Sequence, residues 1–214
     1  LPMAYVIGIT AFALLLWLVY LALRWALDHP WWALALVVAA VLGVPRYMDH
    51  LKQQFILGHI PIELGPPLVS YDKQESWGVG GPGDNETGVI AYDLPRLPVA
   101  RLNKEGLAYL SQLPSQSSSA VRGTSYFSWA ATPVANDPAW LPKRSDGNPD
   151  NSLGGPSLRA YLDQYGFGID VDLHVEQAIN RALASPGSFL AHTRGGGVLI
   201  VVPQSRKAYF IYAG

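Results

Sequence analysis

Asp170, Asp172 and His174 stand at alternate positions in the stretch FGIDVDLHVE, residues 167–176. On an extended strand this spacing puts two carboxylates and an imidazole on one face, a donor set that suits a divalent metal. A helix starting at Asp172 removes that geometry, because the carboxylate then serves as an N-cap and His174 turns away. The helical reading is preferred. Val175, Ile179 and Leu183 recur at helical spacing, and Pro186-Gly187 supplies the stop. Asp170, Asp172 and His174 are therefore kept only as candidates, and neither a metal nor a cofactor is expected.

Acyl-transfer chemistry needs a serine, a base and an oxyanion hole. Serines are plentiful at 117–119, 125, 128 and 157, but none lies in G-x-S-x-G or S-x-x-K. His174 and His192 are the histidines well inside the C-terminal part of the chain. A hydrolase using one of them with a nearby carboxylate or serine is the alternative functional reading, and spacing gives it no support. Gly78, Gly80 and Gly83 in GVGGPG match the dinucleotide-fingerprint spacing. The fingerprint needs a strand before it and a helix after it, so that backbone N–H groups reach a pyrophosphate. Here no clean apolar strand precedes the glycines, Pro82 removes a donor, and DNETG leads into a strand. No GxxxxGK[ST] sequence occurs. Asn85-Glu86-Thr87 is a glycosylation sequon, relevant only in a eukaryotic secretory setting.

The aromatic residues are more suggestive. Trp77, Tyr126, Phe127, Trp129 and Trp140 lie in or near stretches rich in turn residues. Tryptophan and tyrosine in loops are common anchors for a protein partner. Trp77, Tyr126, Trp129 and Trp140 are the candidate binding residues. The competing reading is that they fill a core. Nucleic acid is not an expected partner. From Gln53 onward the chain carries 12 Lys and Arg against 14 Asp and Glu, with no basic stripe to neutralise phosphates. The absence of cysteine excludes disulfides and thiolate chemistry.

These residues must be positioned by elements whose composition divides sharply. Only 14% of the chain is charged, against roughly 25% in a typical soluble domain. The deficit is concentrated at the start. Met3 to Leu23 is a run of 21 uncharged residues, about 31 Å long as a helix and close to the hydrocarbon thickness of a bilayer. A second apolar run, 31–45, extends to about 48 through Arg46, whose head snorkels. Trp25, Trp31, Trp32 and Tyr47 flank the runs at headgroup positions. No basic segment precedes the first run, which argues against a cleaved signal peptide. Between the runs, RWALDHP reads as a turn at the membrane surface, with Pro30 opening the second helix where its missing N–H costs nothing. The expectation is a two-pass helical hairpin, spans about 3–23 and 31–48, in a bacterial inner membrane. Arg46, Lys52 and the α-amino group outweigh Arg24, which favours the cytoplasm for the large C-terminal part, with the periplasm as the alternative.

The helix is expected to run on as an amphipathic stem to residue 57 through Tyr47, Met48, Leu51 and Phe55. Residues 58–67, GHIPIELGPP, read as a linker. The remainder, 68–214, reads as a soluble α+β domain of three to five mostly antiparallel strands. GVIAYDLP and SYFSWAAT are strand-like, PVARLNKEGLAYLSQLP is a helix weakened by Gly106, and SLRAYLDQY is a short helix capped by Ser157. SFLAH then leads to GVLIVVP and KAYFIYA, which form a C-terminal hairpin. VLIVV is apolar on both faces, so it is expected at the centre of the sheet with helices over it. The functional expectation is a membrane-anchored, non-enzymatic binding or accessory protein. It would be a secretion-apparatus component, an immunity protein or a membrane-complex subunit, with the lipid bilayer and a protein in or near it as partners.

Overall fold

The structure is a computed structural model of the 214-residue chain. It describes residues 3–76, 86–113, 126–134, 140–141, 148, 155–163, 168–193 and 196–213, with residues 3–13 and 23 described as backbone only. The chain divides into two compact units, 1–52 and 53–214.

The first unit is helical. Helix α1 spans Met3–Asp28 and α2 spans Pro30–Leu57, continuing past the unit boundary. A single residue, His29, separates them, and the helical ladder crosses it: His29 N–H donates to Trp25 O and Ala33 N–H to His29 O, each at 3.0 Å. Among the described residues neither helix packs along the other. The turn expected over residues 24–30 is thus a one-residue break, and the two helices are not a packed antiparallel pair. The physical reason lies in RWALD. Its charges do not break a helix, and Pro30 at the first helical position removes only one bond. Among the described residues one helix, Pro30–Leu57, is long and apolar enough to cross a membrane. Its surface is uncovered: Leu36, Val38, Val41 and Leu42 are all exposed.

The second unit is α+β and centres on an antiparallel sheet. Its strands are β1 (Leu68–Ser76), β2 (Glu86–Asp93), β3 (Tyr126–Ala131), β4 (Phe189–Thr193), β5 (Val198–Val202) and β6 (Lys207–Ala213), in the order β1-β2-β6-β5-β4-β3. The helices are α3 (Arg96–Glu105), α4 (Leu107–Leu110), α5 (Leu158–Leu162) and α6 (Leu173–Ala184). Strand alternation sorts the apolar residues onto both faces. Val89 and Ala91 of β2, Val198 and Ile200 of β5, and Tyr209 and Ile211 of β6 face α5 and α6. Ile90 and Tyr92, Leu199 and Val201, and Ala208 and Phe210 face α3, α4 and residues 56–64. The result is three layers with the sheet in the middle, and β5 is covered on both sides as its composition requires.

Local chemistry fixes the helix ends. Gly106, at φ +56°, separates α3 from α4 where one helix was expected. Ser157 caps α5 by accepting from Ala160 N–H. Thr132 donates to Ser185 O at 2.6 Å and accepts from Ser188 N–H at 3.1 Å, tying the end of β3 to the α6–β4 connection. Six strands are present among the described residues rather than three to five. The strand that sequence reading passes over is β1. Its side chains are exposed or half-buried and many are charged or polar, so it carries no alternating apolar signal. It is held as an edge by its backbone ladder to β2.

Candidate functional site

The most elaborate polar chemistry of the second unit lies where α2 ends. Residues 58–64, read as a linker, are not a free tether: Gly58, His59, Ile60, Pro61 and Leu64 are buried against one face of the sheet. A helix C-terminus leaves carbonyls without helical partners. Three tyrosines from three elements meet the carbonyls of this segment. Tyr92 of β2 donates to Ile56 O at 2.6 Å, Tyr126 of β3 donates to His59 O, and Tyr109 of α4 donates to Glu63 O at 2.8 Å. Burial holds the Tyr92 and Tyr126 hydroxyls well above the usual phenol range, so both remain donors at every physiological pH.

His59 sits in the middle of this clamp. Its ring stacks on Phe210 with centroids 3.9 Å apart and planes 8° apart, and Phe55 meets it edge-on at 4.7 Å. The flat approach of Phe210 depends on Gly197. A Cβ there would lie 2.7 Å from the Phe210 ring. Burial lowers the His59 pKa to about 4, so the imidazole is neutral near pH 7.

The aromatic residues singled out from sequence are dispersed. Tyr126 is buried and used in the clamp, with Trp129 half-buried 6.0 Å from it. Trp140 is fully buried on the opposite face of the sheet, stacked on Tyr161 at 4.5 Å. Trp77 lies outside the described residues, as do the glycines of GVGGPG and Asn85 of the sequon. Phe127, on the edge strand β3, is 45% exposed.

The candidate metal residues are separated by the start of α6. Asp172 takes the N-cap position without a side-chain capping bond, and its N–H donates to the Tyr71 hydroxyl at 3.2 Å. Asp170, Asp172 and His174 are all exposed, and among the described residues no group of three His, Cys, Asp or Glu stands close enough to hold a metal. Asp170 lies instead on the rim of a cavity of about 240 Å³ beside α5, with Leu158 and Leu162 in its lining and Arg159, Asp163 and Glu176 as its other charged residues. Arg159 reaches Glu176 at 3.4 Å. Three carboxylates and one guanidinium give this notch a negative balance. His192 lies on β4, half-buried and paired in register with Phe127 and Val198.

Sequence reading missed His59 and the tyrosine clamp. The signal was present: Ile60, Ile62 and Leu64 make GHIPIEL too apolar for a solvated tether.

No protein-family model, no curated protein and no solved structure matches this chain.

Proposed function

We propose that the protein is a membrane-anchored, non-enzymatic binding or accessory protein that presents its α+β domain to a protein partner at a bacterial inner membrane. One observation carries this reading: an uncovered apolar helix surface leads into a folded domain through a clamped junction. Leu34, Leu36, Val37, Val41, Leu42 and Val44 are each more than half exposed. Water penalises that surface by about 25 cal/mol per Å², whereas lipid does not. On this reading the runs 3–23 and 31–48 both enter the bilayer, and the break at His29 opens into the reversal between them, which makes the protein two-pass with its domain in the cytoplasm. The most perturbed ionisable groups favour a structural role over catalysis. His59, Tyr92 and Tyr126 are buried in packing rather than poised in a cleft, and both tyrosine hydroxyls donate to backbone carbonyls.

Alkaline extraction of membranes from cells making the full chain tests the anchor. The protein should stay in the pellet, and its release into the supernatant would overturn the reading. An N-terminal tag and a C-terminal reporter should report the same side of the membrane; opposite sides would exclude the two-pass topology. Purification in mild detergent should return one partner in fixed stoichiometry across independent preparations, and repeated recovery of the chain alone would overturn the accessory role.

A further inference from the structure

The large apolar side chains left exposed on the 53–214 unit include three that gather in one region. Ile62 is 56% exposed, Leu68 73% and Leu97 85%. Their segments are in contact. Gly65 lies so close to the start of α3 that a Cβ on it would be 2.9 Å from Pro95 Cγ and 3.3 Å from Pro98 Cγ. Leu68 pairs in register with Asp93, and Leu94 N–H donates to Arg206 O at 2.8 Å. One exposed leucine needs no explanation, but a group of them at one corner does. The corner also carries cations. Arg96 and Arg206 are exposed, and neither makes an ion pair among the described residues, whereas Asp93 is taken by Lys207 at 2.5 Å. The corner is close in the chain to the end of α2, since Ile62 and Leu68 follow Leu57 by five and eleven residues.

Aliphatic tips fringed by guanidinium groups are the chemistry of an interfacial contact. The side chains enter the headgroup–acyl boundary, and the arginines meet lipid phosphates. We infer that this corner rests on the bilayer that holds α2, with Leu68 and Leu97 inserted and Arg96 and Arg206 paired with anionic headgroups. The inference rests on the membrane-anchored reading, and its test separates the two.

The chain has no cysteine, so single cysteines can carry a spin label without background. The full chain is reconstituted into vesicles of phosphatidylglycerol and phosphatidylcholine with a label at Val38→Cys in α2, at Leu97→Cys, or at Leu173→Cys. Leu173 is 67% exposed at the start of α6, whose buried residues pack on the other face of the sheet. The readout is accessibility to oxygen, which concentrates in lipid, against a water-soluble nickel complex. The oxygen-to-nickel ratio at 97 is expected to rise towards that at 38, while 173 stays aqueous. It should fall back in pure phosphatidylcholine and in the Arg96→Gln/Arg206→Gln background. Leu68→Cys gives an independent reading should the label at 97 disturb α3. A lipid-exposed 38 with 97 and 68 as aqueous as 173 would overturn the inference alone. A label at 97 shielded from both reagents would mean that protein, a second copy of this chain included, covers the corner, and would overturn it too. An aqueous label at 38 would remove the anchored reading and the inference together.

Discussion

The two units handle the same apolar residue types in opposite ways. In α1 and α2, leucine, valine and tryptophan point outward along the described length: Trp17, Leu36 and Val41 are all more than half exposed. In residues 53–214 the same types are drawn in, with Leu110, Trp140, Val198 and Leu199 among the fully buried. The difference is one of patterning. The sheet strands and domain helices alternate or turn their apolar residues towards a partner layer, so burial follows. The apolar runs of α1 and α2 have no polar side to turn outward, and no fold of a single helix can hide them. Hydrophobic residues therefore hold the second unit together, whereas in the described part of the first they stay at the surface.

A substitution of each kind separates these roles. Trp140→Ala removes a fully buried ring stacked on Tyr161 and should destabilise the domain by about 3–5 kcal/mol, read as a large drop in the urea midpoint of tryptophan fluorescence or circular dichroism. Leu36→Ala deletes a 59% exposed side chain and should leave that midpoint unchanged. Equal effects from both would break the contrast.

Protonation probes the same boundary at the junction. His59 has its pKa lowered to about 4, against about 6.5 in an unfolded chain. Above pH 6.5 the imidazole is neutral in both states and the domain has its full stability. Between about 6.5 and 4 the unfolded chain takes a proton that the folded one refuses, so stability falls with pH, by about 3 kcal/mol over the window. Urea titrations at pH 7.5 and 4.5 measure the loss. His59→Phe should flatten it. An equal pH dependence in the variant would assign the loss to other groups.

How far the sequence was legible follows from the same physics. The strands β2, β5 and β6 were legible because each carries β-branched or aromatic residues in a continuous run, as in VLIVV and KAYFIYA. The helix from Leu173 was legible because Val175, Ile179 and Leu183 override the alternation that precedes them. Strand β1 was not, since an edge held by backbone bonds leaves its side chains free to be Asp72, Lys73 and Glu75. The break between α1 and α2 falls inside RWALDHP and is shorter than that stretch suggests, because charged residues do not stop a helix and only backbone chemistry does. The clamp was illegible for a different reason. Tyr92, Tyr109 and Tyr126 meet residues 56–63 across 36 to 67 positions of sequence, and nothing local marks such a contact. The same holds for the dispersal of Trp129 and Trp140 to opposite faces of the sheet.

A smaller effect isolates the clamp itself. Tyr92→Phe keeps the buried ring and removes one hydroxyl, so among the described residues Ile56 O is left with the 3.3 Å bond from His59 N–H. The expected cost is about 1 kcal/mol. It should appear as faster hydrogen exchange at the amides of residues 56–60, with exchange in β5 scarcely altered. Uniform acceleration across the domain would mean that the hydroxyl supports the whole fold rather than the docked segment.

The smallest effect tests whether exposure in the second unit means ordinary solvation. Arg101 pairs with Glu105 at 3.1 Å and lies over the Tyr109 ring at 4.6 Å, with its side chain 54% exposed. An exposed pair one helical turn apart is worth about 0.3–0.5 kcal/mol, and an exposed cation–π contact about 0.5–1 kcal/mol. Arg101→Ala should therefore cost under about 1.5 kcal/mol, and raising the salt concentration should shrink the cost by screening the ion pair. Arg101→Lys retains the charge and should recover part of it. A cost well above this range and insensitive to salt would mean that the α3 surface is desolvated in the intact protein.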